Sequence, residues 1–149
     1  MILISHRGNT NGSNKDENKP KYIDNAIEDG YDVEIDIWCI NELIYLGHES
    51  PQYLVDFSWI IDRVLKLWIH CKNINALIYI KNCGYDIRYF WHQSDDVTIT
   101  SNGFFWTYPG KQLTKNSIAV MPETKPFNDI EISYGICSDY IIKYKDYIE

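Results

Sequence analysis

Four histidines occur in the chain, and each closes a run of strand-forming residues: His6 after Ile2-Leu3-Ile4-Ser5, His48 after Leu43 to Gly47, His70 in Leu67-Trp68-Ile69-His70, and His92 after Tyr89-Phe90-Trp91. An imidazole changes charge near neutral pH, which suits it to giving or taking a proton. Arg7, directly behind His6, adds a guanidinium whose fork matches phosphate oxygens. Glu34 and Asp36 lie two apart in an alternating run. On a strand they share a face with Cα atoms about 7 Å apart, close enough for both carboxylates to reach one cation. Like charges at that spacing raise each other's pKa, and a divalent ion removes the cost. Asp32 shares the face but lies about 13 Å from Asp36 by the same rise, outside the site. The same pattern also describes an edge strand with its acids in water, and a single strand-end histidine is often bonded to a neighbouring loop. The placement of all four is what favours a site.

The elements that must position these residues alternate. "PKYIDNAIEDG" has Pro20 at a helix start, Ile23, Ala26 and Ile27 at helical spacing, and Asp29-Gly30 as a stop. "YDVEIDIW" has period two and reads as a strand, and "ELIYLGHES" as another extended piece. Residues 58 to 66 predict a helix with Ser58 as N-cap and Ile60, Ile61, Val64 and Leu65 on one face. A further helix in "INALIYIKNCG" would bury Ile74, Leu77 and Ile78 and end at Gly84. "IRYFWHQ", "VTITSNGFFWTYP", "SIAVMPE" and "YGICSDY" supply more strands, and a last helix is expected over 139–148. The polar stretch Asn9 to Lys19 reads as a long mobile loop, a place for a lid. Strands and helices in this order argue for a parallel α/β sheet at whose C-terminal strand edge the histidines collect.

With 149 residues, 45% of them hydrophobic, residues 1–149 fit one domain with a real core. The formal charge of -7, with Lys and Arg scattered singly, disfavours a nucleic-acid partner. No stretch approaches the roughly 20 apolar residues of a membrane span, and the opening apolar run is short for a signal peptide, so a cytoplasmic protein is expected. Cys39, Cys71, Cys83 and Cys137 show no Cys-x-x-Cys spacing and are expected as free thiols.

In order and local context, His6-Arg7-Gly8, Glu17-Asn18, Glu34-Ile35-Asp36 and His48 resemble the glycerophosphodiester phosphodiesterase family, within the phosphatidylinositol-phospholipase-C-like barrels. A weaker echo of that family's last strand stands in "GICSDY". The resemblance implies a (β/α) TIM-type barrel and His6 and His48 as general acid and base. It also implies that Arg7 contacts the phosphate, while Glu34 and Asp36 hold one divalent metal, Mg²⁺ or Ca²⁺. The family's third strand ends in Glu-hydrophobic-Lys; here it reads His70-Cys71-Lys72. Lys72 is then a phosphate or carboxylate partner, and His70 a third ligand that shifts preference toward Mn²⁺, Fe²⁺ or Zn²⁺.

A complete (β/α)₈ barrel takes about 250 residues, so this must be a reduced barrel lacking several second-half helices. Glu17, His92 and Glu123 are candidate extensions of the site, as are Asp95 and Asp96. Trp106 or Tyr108 is a candidate apolar wall. Two functions remain open: a metal-dependent phosphodiesterase acting on a small glycerophosphodiester-like substrate, or a degenerate barrel that binds metal or a phosphorylated ligand without turnover. Apolar surface left bare by missing helices makes a homo-oligomer a reasonable expectation.

Overall fold

The computed structural model describes residues 1–148. The chain runs β1 (Ile2–His6), α1 (Pro20–Glu28), β2 (Asp32–Ile40), β3 (Leu43–Leu46), β4 (Tyr53–Val55), α2 (Phe57–Ile61), β5 (Leu67–Cys71), α3 (Ile74–Asn82), β6 (Tyr89–Phe90), β7 (Val97–Ile99), β8 (Phe105–Thr107), β9 (Ser117–Val120) and β10 (Gly135–Ser138). Short 3₁₀ segments follow β9 at Ile130–Ile132 and β10 at Ile141–Tyr147. The fold is mixed α/β with few helices.

Seven strands pair in parallel in the order β6-β5-β2-β1-β10-β9-β8. β7 adds antiparallel to β8, while β3 and β4 extend the far end of β2 as an antiparallel ribbon. The sheet curls into a half-barrel. Across the remaining seam, the Ser101 N–H donates to Tyr89 O at 2.8 Å and the Thr98 hydroxyl to Trp91 O at 3.0 Å.

Period two along the strands gives the curled sheet two faces. Outside, Val33, Ile35 and Ile37 of β2 and Leu67 and Ile69 of β5 are fully buried with Ile23 and Ala26 of α1, Ile60 of α2 and Ala76 and Ile80 of α3. Inside, Ile4, Trp68, Phe90, Trp106, Ile118 and Cys137 form an apolar floor. The next inward residue on five of these strands is polar: His6, His70, His92, Tyr108 and Asp139.

Several sequence expectations shift. Helix α1 forms where its pattern placed it, with Asp29 as C-cap. The helix expected over 58–66 is only Phe57–Ile61, capped at Asp56 rather than Ser58, and Leu65 is 85% exposed. The chain must leave that helix early because Lys66 O already accepts from Val33 N beside β5. In α3 the buried residues are Ala76 and Ile80, while Ile74 and Ile78 are exposed. The terminal segment is 3₁₀, with Ile141 buried and Ile148 exposed. Antiparallel pairing of β3, β4 and β7 makes the sheet mixed rather than wholly parallel. Beyond α3 no α-helix occurs among the described residues, and none of their helices is long and apolar enough to cross a membrane. All four cysteines are free thiols.

Candidate metal and acid–base site

A pocket of about 660 Å³ opens at the C-terminal edge of the parallel strands. His6, Arg7, Glu34, His48, His70 and Lys72 line one side, and His92, Trp106, Tyr108 and Met121 the other. His6, Arg7, Glu34, His48, His70, Lys72 and His92 therefore meet, although they come from the ends of β1, β5 and β6, from β2 and from the loop after β3.

Asp36 is fully buried at the base, and its Oδ2 is surrounded by donors. Asn18 Nδ2 donates to Oδ2 at 2.9 Å, and the Asn18 carbonyl accepts from Asp36 N at 3.0 Å. His48 Nδ1 lies 3.2 Å and Arg7 Nε 3.1 Å from the same oxygen, and Lys72 Nζ is 3.9 Å from the other. Burial opposes ionisation of Asp36, but the His48 hydrogen bond and the Arg7 charge work against it, and its pKa lies well below the usual carboxylate range. Glu34 is in the opposite position: burial first, and the Asp36 charge second, push its pKa up.

His70 supplies the third group. Its Nε2 lies 3.2 Å from the His92 carbonyl oxygen, an acceptor only, so this nitrogen carries the hydrogen. In the neutral ring Nδ1 is then a lone pair. It points at Asp36 Oδ1, 3.1 Å away, and lies 3.8 Å from Glu34 Oε1. Asp36 Oδ1 and Glu34 Oε2 are buried and have no hydrogen-bond partner. One ligand atom from each of Glu34, Asp36 and His70 falls within 4.8 Å of the others. Three electron-rich atoms converging from buried side chains repel one another unless a cation sits among them. The donor set fits a divalent metal, and an imidazole braced through its other nitrogen by a carbonyl is the usual support of such a ligand.

His6 is held differently. Its Nδ1 donates to Asp139 Oδ1 at 2.7 Å, leaving Nε2 in the pocket 3.8 Å from Glu34 Oε2. Burial weighs most against the protonated ring, yet the Asp139 hydrogen bond and the Glu34 charge together carry the His6 pKa above its ordinary value. Asp139 is itself kept low, against burial, by that same hydrogen bond. The His48 Nε2 faces Arg7 Nη2 at 3.2 Å.

Glu17 and Glu123 do not line the pocket; they brace it. Glu17 accepts from Arg7 Nη1 at 3.2 Å and from Asn9 Nδ2 at 2.9 Å. Glu123 accepts from the Ser138 hydroxyl and the Asp139 backbone N–H, both at 2.9 Å. His92 lines the pocket, its ring stacked on Tyr108 at a centroid distance of 3.7 Å, with its pKa lowered by burial and by His70. Asp95 and Asp96 are exposed; Asp95 Oδ2 lies 3.7 Å from His92 Nδ1, and Asp96 pairs with Lys111 away from the pocket.

Three residues that hold the site escaped the sequence reading as site members: Asn9, Asn18 and Asp139. Asn9 and Asn18 are fully buried at the two ends of the stretch expected as a mobile loop. Asn9 Nδ2 reaches both Glu17 and Asp139, and Asn18 clamps Asp36. The stretch is thus pinned at β10 and β2. Arg7 has a left-handed φ of 56°, a conformation costly for any residue with a Cβ, and Gly8 follows at 90° where a Cβ would meet Tyr22 at 2.7 Å. No family model, curated protein or solved structure matches the chain.

Proposed function

We propose that the protein is a metal-dependent phosphodiesterase built on a reduced TIM-type barrel, as its resemblance to the glycerophosphodiester phosphodiesterases implies. The observation that carries this reading is the convergence of the His70 Nδ1 lone pair with the unpartnered Asp36 Oδ1 and a carboxylate oxygen of Glu34. A bound divalent ion would supply electrostatic stabilisation of charge developing on the phosphoryl oxygens. Glu34, Asp36 and His70 are the residues that would hold it.

The chain's own groups supply the proton transfers. With Nδ1–H committed to Asp139, His6 presents Nε2 to the pocket and takes the proton of an attacking hydroxyl or water. Asp139 stabilises the imidazolium that results, which agrees in sense with the raised His6 pKa. His48, fixed through Nδ1 on Asp36, is the second acid–base group and serves the leaving oxygen. Arg7 and Lys72 orient the phosphate, and the attack is by water or by a hydroxyl of the substrate itself. A second reading, a binding module without turnover, is favoured by one contact: Arg7 Nη2 sits on the His48 nitrogen that must exchange the proton.

The test is hydrolysis of a panel of glycerophosphodiesters and a chromogenic bis-phosphodiester by metal-stripped protein. Mg²⁺, Ca²⁺, Mn²⁺ and Zn²⁺ are restored in parallel, beside His6→Ala. Turnover that requires metal and vanishes in the variant supports the enzyme. Tight metal binding without turnover of any substrate supports the binding module.

A further inference from the structure

His6 and Arg7 are neighbours in sequence, and on an extended strand their side chains would point to opposite faces. The left-handed φ at Arg7 breaks that alternation, and both line the pocket. The chain then doubles back. Asn9 N–H donates to His6 O at 2.9 Å, and the Ser5 hydroxyl donates to Asn9 O at 2.9 Å. Asn9 is fully buried and tied to β1 twice through its backbone, so its side chain stands on a rigid support.

That side chain is an amide used to capacity. Its Nδ2 has two hydrogens and two carboxylates in reach, Asp139 Oδ1 at 2.8 Å and Glu17 Oε1 at 2.9 Å, while its Oδ1 accepts from the Tyr22 hydroxyl at 3.2 Å. Two acceptors on one side and a donor on the other fix which way the amide faces. Asp139 Oδ1 also accepts from His6 Nδ1 at 2.7 Å, and the other oxygen of Glu17 accepts from Arg7 Nη1 at 3.2 Å. Five side chains thus close a ring from His6 through Asp139, Asn9 and Glu17 to Arg7, completed by the peptide bond between residues 6 and 7. A carboxylate in the central place would face two others, and a hydroxyl has a single hydrogen, so a primary amide suits it. Glu123 holds the Asp139 backbone N–H, whereas Asn9 bonds the Asp139 carboxylate itself.

We propose that Asn9 is a positioning residue that acts on His6 through Asp139, holding the carboxylate where it fixes the imidazole, an inference that rests on the phosphodiesterase reading. The experiment is a double-mutant cycle on the metal-loaded full chain, Asn9→Ala with and without Asp139→Ala, read with the chromogenic bis-phosphodiester. In the parent, Asn9→Ala is expected to lower kcat about 10- to 100-fold, the scale on which losing a supporting partner acts. KM is expected to change less than about threefold, because Glu17 still holds Arg7. On the Asp139→Ala background the loss in kcat is expected to shrink to less than about twofold, since the group that transmits it is gone. Tyr22→Phe removes one hydroxyl from the far side of the amide, a milder change, and is expected to lower kcat about two- to fivefold.

The ¹⁵N resonances of the His6 ring in the Zn²⁺-loaded chain, at a pH where that ring is neutral, give a readout independent of turnover. They are expected to show the single Nδ1–H tautomer in the parent and a mixture of tautomers in Asn9→Ala and Tyr22→Phe. Equal losses of kcat on both backgrounds, or a His6 tautomer unchanged in both variants, overturn the proposal while the phosphodiesterase stands. A parent that turns over no substrate overturns the phosphodiesterase reading alone, and the tautomer comparison then decides whether Asn9 positions His6.

Discussion

Three acids stand on the inward face of β2, and they are treated in two ways. At the lower end Asp32 is saturated: Lys66 Nζ and Arg88 Nη1 lie 3.1 Å from its oxygens, and the Trp68 indole N–H donates at 3.0 Å. Four residues up, Asp36 is ringed by donors on one oxygen and bare on the other, and Glu34 has an oxygen with no partner. A buried carboxylate whose partners are complete is architecture. One whose lone pairs converge with an imidazole nitrogen is unfinished until something cationic joins it. The strand's sequence alternation is identical at all three positions; only the neighbouring strands distinguish them.

That contrast can be broken from either side. The largest effect is expected at the unfinished end: Asp36→Ala should weaken Mn²⁺ or Zn²⁺ binding by more than about a hundredfold in calorimetry, beyond what removing a ligand's supporting partner costs. Next, Asp139→Asn should leave metal affinity intact and reduce turnover about 10²- to 10⁴-fold, because His6 loses the acceptor that fixes its tautomer. Its NMR titration should show the His6 pKa falling. At the saturated end, Asp32→Ala should cost about 3 kcal/mol in denaturant unfolding by stranding Arg88, while metal affinity stays unchanged. Partial exposure of Lys66 limits that figure.

The smallest effect sharpens the contrast within the site. In metal-free protein Glu34 binds its proton more tightly folded than unfolded, so its contribution to stability declines as pH rises from the ordinary carboxylate value of about 4.3 through the raised folded value. Asp36 has the opposite sign: its contribution is complete above about 3.9 and is lost as pH falls toward its depressed folded value. Glu34→Gln should therefore abolish the decline on the alkaline side of pH 4.3 and stabilise the metal-free protein there, by less than Asp32→Ala costs. Saturating metal should remove the same decline in the parent.

How much of this was legible depended on range. Period two on β2 placed Glu34 with Asp36, and strand-end position gathered His6, His48 and His70, because side-chain alternation and strand edges are local properties of the chain. The apolar-x-polar step that ends each strand, as in Trp68-Ile69-His70 and Cys137-Ser138-Asp139, also encodes floor and mouth, but only once the strands are known to be neighbours. Asp139 was quoted in the sequence and not recognised, since nothing near residue 139 announces His6. Leu65 and Ile78, apolar and at helical spacing, were assigned to buried faces they do not occupy; a short helix offers periodicity too few turns to fix its phase. The polar stretch 9–19 is anchored at both ends by asparagines whose burial the sequence does not reveal, because a buried asparagine looks the same there as an exposed one.

The pairing of β1 with β10 sets an order in time. Leu3 lies beside Ile136, and the His6–Asp139 hydrogen bond joins residues 133 apart. Contacts of that separation are the slow ones in folding, because the loop between them must be closed before they contribute. On the ribosome, β1 can pair with β2 early but has to wait on the order of ten seconds for the strand that forms its other border. The carboxylates of β2 and the imidazole of His70 are therefore assembled while His6 still lacks its acceptor. In the proposed enzyme, the groups that would hold the cation thus come together before the pair that would handle the proton.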